Sequence, residues 1–271
     1  MPVTQQDLSS APTPVVNPTR RRAWWPLELY RSALGKKYVM AVTGLIGLAF
    51  VFGHMIGNLK AYFGPLDLDH YSEFLRELLV PLLPRSLTLW LLRLVLIGAL
   101  VLHLHAAYAL TRMNHRARNV EYASRRDYIA ANFASRTMRW TGIIVLLFLA
   151  WHLADLTWGW AHPDYTRGDV YNNVVLSLER IPVAALYVVA NLALGFHVFH
   201  GAWSLFQSIG INSPRFNHWR RRFAQGFAAI IVLGNLSFPL AVQLGILDYS
   251  QTEHERVVQE AEQHSAFGGP R

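Results

Sequence analysis

The sequence is dominated by five long apolar segments, at residues 38–59, 87–110, 140–160, 181–206 and 223–244. Each holds about 20 residues or more, enough for a helix to cross the roughly 30 Å hydrocarbon core of a bilayer. The segments are continuously apolar, which favours helices over strands. Charged residues make up only 15% of the chain, whereas about 25% is usual in soluble domains. We therefore expect an all-α integral membrane protein with a bundle of five transmembrane helices.

Basic residues are distributed unevenly between the two ends of these spans. The N-terminal segment carries six Lys and Arg residues, residues 111–139 carry seven and residues 208–222 carry four, whereas the three segments opposite share seven. Because basic segments stay on the cytoplasmic side, we expect a plasma-membrane protein with its N-terminus in the cytoplasm and its C-terminus outside. The net charge of +8 is then a topology signal facing lipid, and nucleic acid is not an expected partner.

The polar flanks divide the chain into three parts. Residues 1–23 are Pro-rich and end in Arg20, Arg21 and Arg22, so we expect a disordered cytoplasmic tail. The five-helix domain then occupies residues 24–245 and opens with a short interfacial helix at 27–37. Residues 246–271 are polar and acidic, which predicts a tail that is disordered or forms a solvated helix.

Four of the five spans carry histidine, and ionisable residues inside the hydrocarbon are costly and usually functional. His54, His103, His152 and His197 are separated by 49, 49 and 45 residues. Because successive spans run in opposite directions, His54 and His152 fall in the outer half, and His103 and His197 in the inner half. Two imidazoles facing each other at one depth suit the iron of haem b. The sequence therefore predicts two haem b groups on four of the helices.

Glycine and the absence of cysteine bear on the same site. Glycines near the histidines suit the close approach of a flat macrocycle, or simply helix packing; they are Gly44, Gly47, Gly53, Gly57, Gly195 and Gly201. Without cysteine the chain alone holds no iron–sulfur cluster. A second interpretation is a Rieske-type 2Fe-2S cluster, held by two of these histidines and by cysteines of a partner.

Several short motifs carry a family resemblance. They are Ser32-Ala-Leu-Gly-Lys-Lys-Tyr-Val-Met-Ala-Val-Thr-Gly44, Gly53-His-Met-Ile-Gly-Asn-Leu59, Asp69-His-Tyr-Ser-Glu-Phe74 and His197-Val-Phe-His-Gly-Ala-Trp203. In this combination, residues 27–245 resemble the cytochrome b subunit of succinate dehydrogenases and fumarate reductases. In particular they resemble the five-helix, single-anchor form known as the cytochrome b558 family.

The resemblance implies a cofactor set and partners. It assigns His54, His103, His152 and His197 to two b haems, with His200 as the alternate to His197. It implies a flavoprotein subunit and an iron–sulfur subunit on the cytoplasmic face, a quinone substrate (menaquinone or ubiquinone), and room for a further small membrane subunit. The chain would pass electrons between the iron–sulfur subunit and quinone, as a subunit that does not itself act on succinate.

Polar residues at the two ends of the spans are candidates for binding quinone. Those near the cytoplasmic interface are Tyr30, Arg31, Ser32, Lys36 and Lys37, and those near the outer face are Asn58, Asp67, Asp69, His70 and Tyr71. Asp155, one turn beyond His152, is a candidate proton relay. A carboxylate at this depth needs a partner, and Arg93 is the predicted one.

Two other functions fit a histidine-bearing bundle. One is a stand-alone transmembrane haem reductase of the cytochrome b561 type, although the motif around Lys36 and His54 is not typical of that class. The other is a haem-free quinone-binding anchor, or a transporter whose histidines relay protons.

Overall fold

The computed structural model describes residues 24–117, 129–211 and 213–266, and the predicted tail at 1–23 lies outside them. Within this part the fold is all-α. The five long helices are α2 (Ala33–Asn58), α4 (Leu87–Arg116), α5 (Ile129–Leu156), α7 (Ile181–Ser208) and α8 (Pro214–Gln243). The short helices are α1 (Trp25–Arg31), α3 (Pro65–Glu77), α6 (Val170–Glu179) and α9 (Gln251–Ala266). The long helices can each cross a membrane by length and composition, so the predicted fold class is confirmed.

The first span begins earlier than its apolar run suggests. The predicted interfacial helix at 27–37 is interrupted at Ser32, whose side chain accepts a hydrogen bond from Gly35 N at 2.9 Å and so caps α2. Lys36 is buried and donates to the carbonyls of Tyr30 and Arg31 at 2.8 and 2.9 Å. A cation at these free carbonyls stabilises the end of α1, so Lys36 links the two helices.

Helices α2 and α7 form the centre of the bundle. Helix α2 packs on α4, α7 and α8, and α7 also packs on α5 and α8. Small residues are buried where these helices meet, among them Ala190, Ala193 and Ala202 of α7 and Ala224 and Ala228 of α8. Small side chains let helix backbones approach closely, which favours helix association in lipid.

The two ends of the bundle differ in structure. We call the end where α2, α5 and α8 begin the basic end, and the opposite end the cap end. At the cap end the short helices α3 and α6 pack together and against the spans. Buried Tyr171, Val175 and Leu178 of α6 contact Leu68 of α3 and Phe238 of α8. Neither α3 nor α6 was predicted as a helix, because each lies in a short polar connection.

Helix α9 of the predicted C-terminal tail contacts this cap. Glu253 and Val257 are buried, and His254 Nδ1 lies 2.9 Å from Asp169 Oδ2. The Asn172 side chain donates to the Ser250 carbonyl at 3.0 Å and accepts from the Ser250 amide at 2.8 Å. Polar contacts therefore attach the start of α9 to the N-terminal turn of α6.

Two buried carboxyl groups meet where α9 docks. Asp69 and Glu253 are each 4% exposed and interact electrostatically, and in the described residues Asp69 Oδ2 is buried without a hydrogen-bond partner. Asp69 Oδ1 accepts from Tyr171 N at 3.0 Å. Burial raises the Asp69 pKa to about 7, and Asp169 and Glu253 add to the rise. A hydrogen bond from Arg256 lowers the Glu253 pKa. Of the two carboxyl groups, Asp69 is therefore the one that holds a proton more readily, beside the Glu253 carboxylate.

We expect α9 to loosen as the pH rises through about 7. The docked pKa of Asp69 is raised above its value in the free chain. Its contribution is therefore complete at low pH and is lost as the carboxyl ionises beside Glu253. Since the chain has no cysteine, a nitroxide on Gln259→Cys, an exposed position of α9, reports mobility by EPR at pH 5.5 and 8.5.

Asp69→Asn is neutral at every pH and should remove this pH response. Asp67→Asn, at an exposed position of α3, should retain it. An unchanged pH response in Asp69→Asn would contradict the role of Asp69 ionisation.

Candidate functional site

The histidines of the four spans lie in two pairs. His54 of α2 and His152 of α5 have ring centroids 6.0 Å apart, with an interplanar angle of 87°. His103 of α4 and His197 of α7 have centroids 6.4 Å apart, at 63°. These are the partners that span direction and depth predict. We call the first the cap-end pair and the second the basic-end pair.

Each pair spans helices whose backbones are not packed on each other. Helix α2 packs on α4 and α7, and α5 packs on α7, whereas α2 with α5 and α4 with α7 are not among the close helix contacts of the described chain. The imidazoles therefore reach towards each other across a gap. Such a gap can hold a group between two opposed side chains.

Threonine hydroxyls orient the basic-end pair. Thr43 Oγ1 donates to the Val39 carbonyl at 2.7 Å and lies 3.1 Å from His103 Nδ1. Since the hydroxyl proton is already used, Thr43 accepts from the Nδ1–H of His103. Thr141 lies 3.5 Å from His197 Nδ1 and donates to the Thr137 carbonyl at 2.8 Å. In both rings the Nε2 lone pair is left for a further ligand.

A buried chain of polar groups orients His152 in the cap-end pair. His152 Nδ1 lies 3.1 Å from Tyr187 Oη, and Tyr187 donates to Asp155 Oδ2 at 3.4 Å. Asp155 is fully buried; it accepts from Arg180 Nη2 at 2.6 Å and from the Ser177 hydroxyl. The opposing ring, His54, stacks on Phe50 with centroids 5.3 Å apart.

The predicted partner of Asp155 was wrong. Arg93 lies over the Trp90 ring, with its guanidinium carbon 5.0 Å from the ring centroid. It is on α4, which packs on α2 rather than on α5. Arg180, which precedes α7, supplies the cation instead.

The alternate histidines occupy separate positions at the basic end. His200 is buried, with Nε2 3.4 Å from Thr137 Oγ1, and the ring that faces His103 is that of His197. His105 points away from His103 and hydrogen-bonds to Tyr30 of α1. Tyr30, one of the quinone candidates, is therefore hydrogen-bonded to the second span, α4.

The other quinone candidates at the basic end divide into structural and exposed residues. Ser32 and Lys36 join α1 to α2, as described above, and Lys36 Nζ also lies 5.2 Å from the centroid of the Tyr30 ring. Arg31 and Lys37 are exposed. Arg31, Lys37 and the Tyr30–His105 hydrogen bond all lie near the junction of α1 and α2.

At the cap end, Tyr71 packs on the backbone of α2. A Cβ atom at Gly57 would lie 2.6 Å from the Tyr71 ring, and Lys60 Nζ lies 5.8 Å from the ring centroid. Asn58 is half-buried and His70 is exposed. Asp67 lines a cleft of about 300 Å³ between Phe63 and Glu253. Asp69 belongs to the buried carboxyl pair of the cap.

The glycines have different roles from one another. A Cβ at Gly44 would lie 3.6 Å from the His103 ring, so this glycine does border a paired histidine. Gly195 packs against Val232 of α8, where a Cβ would come within 2.2 Å. At Gly47, Gly53 and Gly201 a Cβ would meet nothing within 4 Å. Of the two roles expected for these glycines, Gly44 therefore fits approach to a paired histidine and Gly195 fits helix packing.

A repeat in the sequence identifies residues that the sequence analysis missed. Residues 43–54 and 141–152, 98 positions apart, are identical at six of twelve positions. The identical pairs include Thr43 with Thr141, Phe50 with Phe148, and His54 with His152. A Cβ at Gly142 would lie 3.3 Å from His197, as Gly44 borders His103. The recurring Thr-Gly dipeptide, ten residues before each histidine, was the available signal.

The donor set suits a group that brings most of its own ligands. In the described residues, no cluster of three or more His, Asp or Glu side chains is arranged to hold a metal ion. A metal ion at about 2.0–2.1 Å from each of two imidazole nitrogens, the distance usual for histidine on zinc, would need ring centroids about 6 Å apart. The observed 6.0 and 6.4 Å fit this requirement.

Gly195→Ala should destabilise the protein by about 1–3 kcal/mol, because the added methyl overpacks the contact with Val232. Gly201→Ala in the same helix is the matched control and should leave stability nearly unchanged. Thermal unfolding of the detergent-solubilised protein measures both. Equal destabilisation of the two variants would contradict the packing role of Gly195.

Comparison with known families gives one match. Residues 125–236 match the family model of the succinate dehydrogenase/fumarate reductase transmembrane subunit. No curated protein and no solved structure matches the chain. The matched segment contains α5, α6 and α7, and with them His152 and His197. Over this segment the chain is similar to the succinate dehydrogenase/fumarate reductase transmembrane subunits, in line with the resemblance carried by the motifs of residues 32–74.

Proposed function

We propose that this chain is the electron-transfer anchor of a succinate:quinone oxidoreductase and holds two b haems. The observation that supports this most is the presence of two opposed histidine pairs, each with the ring separation that one iron requires. His54 and His152 would hold one haem, and His103 and His197 the other, with His200 as the alternate to His197. When bound, haem b supplies a one-electron relay.

The two pairs lie at different depths. Gly44 borders His103, and His54 follows ten residues later on the same helix. A helix rises about 1.5 Å per residue, so the two levels are about 15 Å apart along the bundle. This arrangement suits transfer of electrons between the ends of the spans rather than chemistry at one surface.

The basic end is the proposed side of the partners. Its charge favours the cytoplasmic side by the positive-inside rule, which would leave the cap end and the C-terminus outside the plasma membrane. A flavoprotein and an iron–sulfur subunit would dock there, close to Tyr30, Arg31 and Lys37. Succinate chemistry would belong to those subunits, and a further small membrane subunit is compatible with the exposed faces of the spans.

Each end offers groups for a quinone, either menaquinone or ubiquinone. At the basic end Tyr30 and His105 form a hydrogen-bonded pair. At the cap end Asn58, His70 and Tyr71 lie near the end of α2. Asp155 contacts Tyr187, Ser177 and Arg180, so a relay role would work through this chain of groups rather than through Arg93.

A shared Rieske-type cluster is supported less well. It needs two histidines together with two cysteines, and the cysteines would have to come from a partner. One histidine pair would then bind the cluster and the other would have no cofactor, whereas two haems would use all four histidines. The stand-alone reductase and the haem-free anchor are distinguished by purification, because the proposed function requires flavoprotein and iron–sulfur subunits to co-purify with haem.

A pyridine haemochrome count per copy of the chain tests the proposal. We expect two b haems in the purified complex, and one in each of His54→Ala and His103→Ala, since each variant removes one ligand pair. His218→Ala, at an exposed position of α8, should keep two.

The absence of haem in the wild-type complex would overturn the ligand assignment. Iron and acid-labile sulfide in such a preparation would instead favour the shared cluster.

A further inference from the structure

The two histidine pairs have different hydrogen-bond partners. The Nδ1 atoms of His103 and His197 face threonine hydroxyls. His54 stacks on Phe50, and no hydrogen bond to it is found in the described part of the chain. His152 alone among the four is connected, through Tyr187, to a buried carboxylate. The pairs are therefore alike in ring separation but different in electrostatics.

We propose that Tyr187 and Asp155 are positioning residues that hold His152 with Nε2 towards His54 and make the cap-end pair the stronger electron donor to iron. The inference rests on the proposed function, because it concerns the group that His152 would bind. Neither residue contacts the iron; each acts through the imidazole of His152.

The direction of the hydrogen bonds follows from the chemistry of the groups. A carboxylate only accepts hydrogen bonds, and Asp155 already accepts from Arg180 and Ser177. Tyr187 must therefore donate its proton to Asp155 and accept from the Nδ1–H of His152. This arrangement permits one tautomer of His152, in which the Nε2 lone pair is free.

The ion pair with Arg180 allows the Asp155 carboxylate to be buried inside the bundle. Asp155 is fully buried, and a buried carboxylate is costly unless it is paired and hydrogen-bonded. The guanidinium of Arg180 is 2.6 Å away and is itself partly exposed. Tyr187 is held by its own packing, with its ring centroid 4.9 Å from that of Phe148, edge to face.

A hydrogen bond from a ligating histidine to an anionic chain makes the imidazole more basic. A more basic ligand stabilises the oxidised metal, and so lowers the reduction potential. Threonine hydroxyls that donate to neutral carbonyls give a smaller effect at the basic-end pair. The lower reduction potential is therefore expected at the cap-end position.

The sequence repeat relates His54 to His152 within the cap-end pair, and it shows why the tyrosine lies beside His152. His103 and His197 are 94 residues apart, and the same offset relates Arg93 of α4 to Tyr187 of α7. Arg93 lies over the Trp90 ring. The position that supplies the tyrosine in one half of the bundle therefore supplies a cation with a different partner in the other half.

A redox titration of the purified complex, followed in the haem α-band, tests the inference. In Tyr187→Phe the reduction equilibrium of the cap-end haem should shift about tenfold towards the reduced form, which raises its potential by about 59 mV for one electron. The potential of the other haem should not change. Asp155→Asn should shift the same haem in the same direction, because Tyr187 then loses its anionic acceptor.

Thr43→Val is the matched control, since it should shift only the basic-end haem. The single-haem variants His54→Ala and His103→Ala assign each potential to its pair. The ferric EPR signal gives a second readout, because it depends on the orientation of the imidazole planes, and it should change for the cap-end haem in Tyr187→Phe.

The outcomes separate the inference from the function on which it rests. Two haems with no selective shift in Tyr187→Phe, or equal shifts of both haems, would overturn the role of Tyr187 and leave the electron-transfer anchor standing. A wild-type complex without haem would overturn both. A selective rise at the cap-end haem, with the reverse pattern in Thr43→Val, would support the inference.

Discussion

The structure depends on one constraint: a polar side chain inside the hydrocarbon must find its partner within the protein, because water is absent there. Asp155 is paired with Arg180 and Ser177, and Lys36 with the carbonyls that end α1. His103 and His197 use threonine hydroxyls. Each of these contacts joins two helices or two parts of one, so satisfying the polar groups also fixes the bundle.

The same constraint explains what could be predicted from the sequence. Apolar length sets the number of spans, and their alternating direction sets the depth of every residue in them. Depth was sufficient to pair His54 with His152 and His103 with His197, without any knowledge of which helices touch. The distribution of Lys and Arg between the ends of the spans predicts the orientation in the same way, because that distribution depends only on position along the chain.

Predictions that needed lateral contacts succeeded less well. Arg93 has a depth similar to that of Asp155, but α4 does not pack on α5, and Arg180 on the connection before α7 is the true partner. The six glycines looked equivalent in sequence, whereas Gly195 contacts Val232 and Gly44 borders His103. Helices α3 and α6 were missed because their apolar faces are short and are buried only against the ends of the spans.

The repeat of residues 43–54 at 141–152 suggests how one bundle produces two different sites. In each half, the threonine of the first helix holds the histidine of the second, and the pairs form between halves. Perfect symmetry between the halves would give His54 the surroundings of His152, and His103 those of His197. Arg93 stands at the position equivalent to Tyr187 and breaks that symmetry within the cap-end pair, since the tyrosine lies beside His152. A repeated pair of helices can thus supply two histidine pairs and still connect one of them to a buried carboxylate.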